Sequence, residues 1–272
     1  MAILEVACFS AKSAAIACQS GADRIELCDD SHAGGTTPKR DCVVETAAVA
    51  RRLGIPMHVM IRPRGGDFVY DELEYTKMRA DICDLKAYAD GFVFGMLTPD
   101  KVVDVARTAE LVSLARPLPC TFHRAFDYAV SLPRALSDVI ETGCKAILTS
   151  GGAANASQGL STLSKLMQLA AGRIDIIPGG GVRAHNLELL LHETGARCFH
   201  TSAMSRDADV PDEVEIKQML AILGEIQSGD YTRSNPCNSS LELDTHERKD
   251  HHSVSAAGTP SISSPKKPGT RL

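Results

Sequence analysis

The feature that most constrains this chain is a recurring order of elements. A short apolar run is followed by a stretch with helical spacing, eight times over. The apolar runs fall at 3–8, 24–28, 56–62, 91–95, 119–124, 145–150, 174–178 and 197–202. Between and after them, apolar residues spread to helical intervals at 10–21, 42–53, 71–89, 99–115, 132–142, 160–171, 186–193 and 214–226. Ser10 suits a helix start, where its hydroxyl can accept an otherwise unpaired backbone N–H. Gly21, Gly54 and Gly143 suit helix ends, where the chain turns left-handed. Strands that alternate with helices pair in parallel, because each helix carries the chain back across the sheet. Eight such units in about 225 residues match the count and length of a (β/α)8 TIM barrel. The alternative, an open doubly wound sheet, usually has a glycine fingerprint after its first strand. Here that turn reads Cys8-Phe9-Ser10.

The pattern stops near residue 229. Residues 230–272 are rich in Ser, Thr, Pro, Asn and charge and hold few large apolar side chains. Such a segment cannot offset its ordering entropy, so a disordered polar tail is expected after a barrel at 1–229. A net charge of −5 with no long basic run argues against a nucleic-acid partner. No apolar run approaches the ~18–20 residues of a membrane helix. The start, MAILEVACFS, lacks the basic segment of a signal peptide. Nine scattered cysteines with no CxxC pair imply free thiols in a reducing, cytoplasmic setting.

In a barrel of this kind the chemistry gathers where strands end and βα loops begin. The strand ends of this chain supply Cys8; Glu26 and Cys28; Arg62 and Arg64; His123, Arg124 and Asp127; Thr149 and Ser150; Gly179, Gly180 and Gly181; and His200 with Ser202. Alternation along a strand puts Arg24, Glu26 and Cys28 on one face, and His58, Met60, Arg62 and Arg64 on one face of the next strand. His200 is expected to point inward as well, and Glu26 with Arg62 is the expected internal ion pair.

Two chemistries follow. Cys8 and Cys28 end adjacent parallel strands, ~4.8 Å apart, so two inward thiolates can ligate Cu(I), a soft ion. Met60 or His123 can supplement them. The other chemistry is an enzyme acting on a small anionic substrate. Arg62, Arg64, Arg124, Ser150 and the Gly179–Gly180–Gly181 turn would hold the anion. His123 oriented by Asp127 would be a general base, with Glu26 or His200 as partner acid.

Several words, in order, bear a family likeness: RIELC (24–28), GGTTP (34–38), VMIRPRGGDF (59–68), GFVFGMLTPD (91–100), TFHRAFD (121–127), ILTSGG (147–152), PGGGV (178–182) and FHTSA (199–203). Together they resemble the CutC family of copper homeostasis proteins over about residues 3–205. The resemblance implies a TIM barrel, a cytosolic setting, self-association as a dimer or tetramer, and Cu(I) binding linked to copper tolerance or trafficking. It also implies that two cysteines near the first two strand ends carry the copper, here Cys8 and Cys28. One departure is Ala7, which makes the first word LEVAC where LEVC is usual and shifts Cys8 by one position.

Overall fold

The computed structural model describes residues 2–205 and 208–228 of the 272. Eight strands alternate with eight helices: β1 (Ile3–Cys8), α1 (Ala11–Gln19), β2 (Arg24–Leu27), α2 (Arg40–Leu53), β3 (Met57–Met60), α3 (Glu72–Leu85), β4 (Gly91–Phe94) and α4 (Val105–Ala115). Then come β5 (Cys120–Phe122), α5 (Leu132–Thr142), β6 (Ala146–Thr149), α6 (Leu160–Ala170), β7 (Asp175–Pro178), α7 (Ala184–Thr194), β8 (Cys198–Thr201) and α8 (Glu213–Ser228). All strand pairs are parallel, in the order β7-β6-β5-β4-β3-β2-β1-β8. β7 and β8 lie side by side without a hydrogen-bonded ladder, so the sheet forms a nearly closed TIM-type barrel. The tail expected at 230–272 lies outside the described residues.

Each element has a local cause. Ser10 caps α1 in a reciprocal pair with Ser13, and Asp71 and Glu74 do the same for α3, satisfying N–H groups that a first turn leaves open. The fourth helix begins at Val105 rather than at 99, because Asp104 is its N-cap, accepting from Arg107 N. A Leu97–Val103 bridge pins the loop before it. The strands are short and buried, with one set of side chains packed against the helices. Leu4, Val6, Ile25, Leu27, Val59, Phe92, Phe94 and Phe122 lie in that continuous outer core.

The other set faces the lumen, and its two halves differ. On β6, β7 and β8 it is apolar, with Ala146, Leu148, Ile177 and Cys198 packed together. On β1, β2, β3 and β8 it holds Glu5, Arg24, Glu26, His58 and His200, whose registers bring Glu5 opposite both Arg24 and His200, and Glu26 opposite His58.

Candidate functional site

A cavity of about 110 Å³ opens at the strand ends, bordered by Glu26, Cys28, Met60, Arg62, His123 and His200 among others.

Its floor is a charge network. Glu5, 1% exposed, accepts from Arg24 Nε at 2.5 Å and from His200 Nδ1 at 2.7 Å. Burial by itself would raise the pKa of Glu5. The His200 bond and the Arg24 charge override it and hold the carboxyl well below the usual range. Glu26 shifts the other way: burial, with the Glu5 charge adding to it, raises its pKa against the pull of His200. The His200 pKa also rises, since Glu26 and Glu5 outweigh the burial that disfavours its charged form. His200 Nδ1 lies 3.9 Å from Glu26 Oε2, an oxygen with no hydrogen-bond partner. Among the described residues, Glu5, Glu26 and His200 are the group of three with metal-ligand atoms within 4.8 Å of one another. Below them, burial lowers the His58 pKa to about 4.

The expected Glu26–Arg62 ion pair does not form. Strand β3 ends at Met60, and Arg62 lies in the following loop, where strand alternation no longer sets direction. Its guanidinium donates to the carbonyls of Ala33, Gly35 and Gly66, and lies over the Phe68 ring. Arg62 therefore ties two loops together, and its N–H groups are largely spent on protein. Arg64 turns away to Glu74 on α3 and to Asp67. It takes no part in the cavity lining.

Nor does Asp127 orient His123. A single 3-10 turn, Arg124–Tyr128, follows β5 and is capped by His123 itself, whose Nδ1 accepts from Ala125 N at 3.2 Å. His123 Nε2 is buried without a partner. Burial, and after it the Arg62 charge, lowers its pKa to about 3. Asp127 instead accepts from Arg124 Nε, Thr149 Oγ1, Ser150 N and Oγ, and Gly152 N. The glycine turn after β6 is thus occupied by the protein's own carboxylate.

The β7 turn is different. Among the described residues Gly180 N and Gly181 N have no protein acceptor. Arg124 lies close over Gly180, where a Cβ would sit 3.2 Å from its guanidinium carbon. Arg124 also donates to Ser150 Oγ at 2.8 Å. Of the expected anion set, Arg124, Ser150, Gly180 and Gly181 come together here, with Gly179 packed tightly against Leu148 and His200.

The two candidate copper ligands stand on opposite faces of the sheet. Cys8 pairs in register with Leu27 and joins the outer core with Leu4 and Val6, whereas Cys28 joins Met60, Val93 and Phe9 at the lumen's mouth. It is Ala7, not Cys8, that borders the cavity beside Cys28. Burial raises both thiol pKa values well above the ordinary range, helped by Cys18 at Cys8 and by Glu26 at Cys28. Cys28 Sγ donates to Glu26 Oε1 at 3.2 Å.

Glu5 was not among the residues expected at the site. Its signal lay in β1, where a single carboxylate interrupts an apolar run. Gly91 and Gly95 are a second signal: a Cβ at these positions would lie 2.4 Å from His58 Nε2 and 2.6 Å from His123 Nδ1, so both imidazoles need glycine on β4 or just beyond it.

Comparison with known proteins points to one family. The CutC family profile matches residues 2–205. A family protein CutC of Chromobacterium violaceum is 46% identical over 208 residues, covering 76% of this chain and 83% of the relative. The human copper homeostasis protein cutC homolog is 45% identical over 204 residues, covering 75% and 74%. The crystal structure of the putative copper homeostasis protein CutC from Streptococcus agalactiae is similar with a TM-score of 0.71 at 31% identity, over 74% of this chain and 99% of that one. A thiamine phosphate pyrophosphorylase from Pyrococcus furiosus shares the fold, with a TM-score of 0.58 at 16% identity, over 82% and 96%.

Proposed function

The chain belongs to the CutC family, and from that premise we propose that its barrel mouth is an enzyme-type site for a small anion, with copper as a second ligand of the same cavity. One observation carries the first part. A buried acid–base pair, Glu26 and His200, borders the same cavity as Arg124, whose guanidinium lies against Gly180 at the start of a turn in which Gly180 N and Gly181 N have no protein acceptor. The N–H groups and guanidinium would hold the anion by charge-assisted bonds. Glu26 and His200, facing one another at 3.9 Å, are the pair of groups at the cavity suited to proton transfer. Glu5 fixes the His200 ring through Nδ1, leaving Nε2 for the cavity.

Thermal-shift assays with inorganic phosphate and with phosphorylated and carboxylated small molecules test this. Wild type is expected to gain stability, by about 2.7 kcal/mol at a hundredfold excess over Kd, and Arg124→Ala to gain little. If no anion stabilises wild type, the reading fails.

Copper in the names of the human and mouse relatives, together with a lumen-facing thiol beside a thioether, Cys28 and Met60, favours the second part. The reading places Cu(I) at Cys28 rather than across Cys8 and Cys28, in a reducing cytosol. Under anaerobic conditions Cys28→Ser is expected to lose Cu(I) uptake and Cys8→Ser to keep it. Equal uptake by both variants removes Cys28 as the site. Self-association belongs to the same reading, and light scattering on the purified chain measures it.

A further inference from the structure

Three residues that border the mouth cavity hold a buried polar atom without a hydrogen-bond partner. Arg62 Nε belongs to a guanidinium already tied to three carbonyls, and two others remain. One is Glu26 Oε2, in a residue 2% exposed, and the other is His123 Nε2, in a residue 3% exposed. They come from β2 and from the end of β5, three places apart in the sheet order, so they approach the cavity from different sides. A buried donor or acceptor left unpaired is costly, and two at one cavity describe the ligand that would satisfy them.

The chemistry of each atom is fixed by its other contacts. His123 Nδ1 accepts the Ala125 N–H. A ring nitrogen that accepts carries no proton, so the neutral ring carries its proton on Nε2. His123 is therefore a donor into the cavity, held in one tautomer by the 3-10 turn it caps. Burial and the Arg62 charge keep the ring neutral. Glu26 keeps one oxygen on the Cys28 thiol and leaves the other free. The cavity thus offers a donor for an oxygen atom and an acceptor for a proton.

Resting on the reading of the mouth as an anion-binding acid–base site, we propose that its substrate is a short-chain anion with a carbonyl next to a C–H bond, that His123 Nε2–H donates to the carbonyl oxygen, and that Glu26 removes the proton from the adjacent carbon. The C–H electron pair becomes the new C=C bond, and the carbonyl π pair moves onto oxygen, giving an enolate. The proton rests on Glu26, and His123 keeps its own while hydrogen-bonding the developing oxyanion, as a neutral imidazole can. Replacement of the proton on Glu26 by one from solvent, followed by its delivery to the same carbon as the enolate collapses back to the carbonyl, gives exchange with solvent. No oxidant or further reactant is needed. Arg124 with Gly180 and Gly181 takes the anionic end, and the small cavity limits the carbon skeleton.

The test follows loss of the α C–H signal by proton NMR in D2O, with pyruvate and dihydroxyacetone phosphate as probes. Wild type is expected to catalyse exchange of at least one probe. Glu26→Gln is expected to abolish it, and His123→Gln to slow it about 100–1000-fold. Both variants should keep stabilisation by inorganic phosphate, which reports folding and the anion seat separately. Nitrogen-15 spectra of histidine-labelled wild type should show His123 protonated on Nε2 and bare on Nδ1. Stabilisation by phosphate without exchange of either probe overturns this proposal and leaves the anion reading standing. If phosphate fails to stabilise as well, both fall. A proton on His123 Nδ1 overturns the role of that residue whatever the exchange result.

Discussion

Asp127 and Glu26 are both carboxylates buried near the mouth of the barrel, and their surroundings treat them in opposite ways. Asp127 collects donors from the 3-10 turn, β6 and the glycine turn beyond it, including Arg124, Thr149, Ser150 and Gly152. Glu26 has a thiol on one oxygen and no hydrogen-bond donor on the other, which His200 Nδ1 approaches only to 3.9 Å. A carboxylate saturated with donors holds chain segments together and has no capacity left for a ligand. One that is under-supplied carries a desolvation cost that a ligand can relieve. Asp127 is thus a structural knot between the 3-10 turn and β6, whereas the proton-transferring groups Glu26 and His200 stand on β2 and β8.

Breaking the knot should have the largest effect. Asp127→Ala strands several buried donors and is expected to cost about 3–5 kcal/mol in urea denaturation. A loss below about 1 kcal/mol would show that the donors find water instead. Glu5→Gln comes next, since it leaves Arg24 and His200 without their carboxylate, and should cost about 2 kcal/mol at neutral pH. Its sign with pH is defined. The Glu5 pKa is depressed in the fold, so its stabilisation is present above the ordinary value of 4.5 and is lost as pH falls below it. Acid titrations of stability should therefore be flatter for Glu5→Gln than for wild type.

Glu26→Gln sharpens the contrast, because its expected sign is reversed. The Glu26 pKa is raised in the fold, so its carboxylate form is penalised increasingly as pH rises above 4.5. The neutral amide removes that penalty and should be neutral to about 1 kcal/mol stabilising at pH 7 in the same urea assay, while proton exchange is lost. The smallest effect belongs to Cys8→Ala, a small deletion in the outer core expected to cost about 1 kcal/mol with Cu(I) uptake unchanged. Ala7→Cys, which adds a thiol on the cavity side beside Cys28, should raise that uptake.

Much of this was legible before any coordinates. The eight runs sit where the alternation put them, because strand and helix periods are local and each helix carries its own caps. The same rule put Arg24, Glu26 and Cys28 on one face, and it holds. Applied to β1, it would have grouped Cys8 with Leu4 and Val6 and left Glu5 and Ala7 inside; the family word LEVC obscured that. Other features were out of reach. The Glu5–His200 bond depends on β8 closing onto β1, a pairing across nearly the whole barrel sequence. Arg62 lies past the end of its strand, where loop geometry decides its direction. The 3-10 turn at Arg124–Tyr128 swings Asp127 to β6 and leaves His123 as its own cap, and nothing in TFHRAFD marks that turn.

The seam between β7 and β8 has a consequence for motion. Among the described residues β8 is laddered only to β1. On its other side side chains close the gap: Thr201 Oγ1 donates to Val182 O at 2.8 Å and accepts from Arg183 Nη1 at 2.7 Å. Backbone amides along this seam are expected to exchange with deuterated solvent before those of β2 to β6, because parting the strands there breaks side-chain contacts rather than a ladder. His200 sits on that strand, one residue from Thr201. Its distance from Glu26 is therefore governed by the part of the barrel that breathes first.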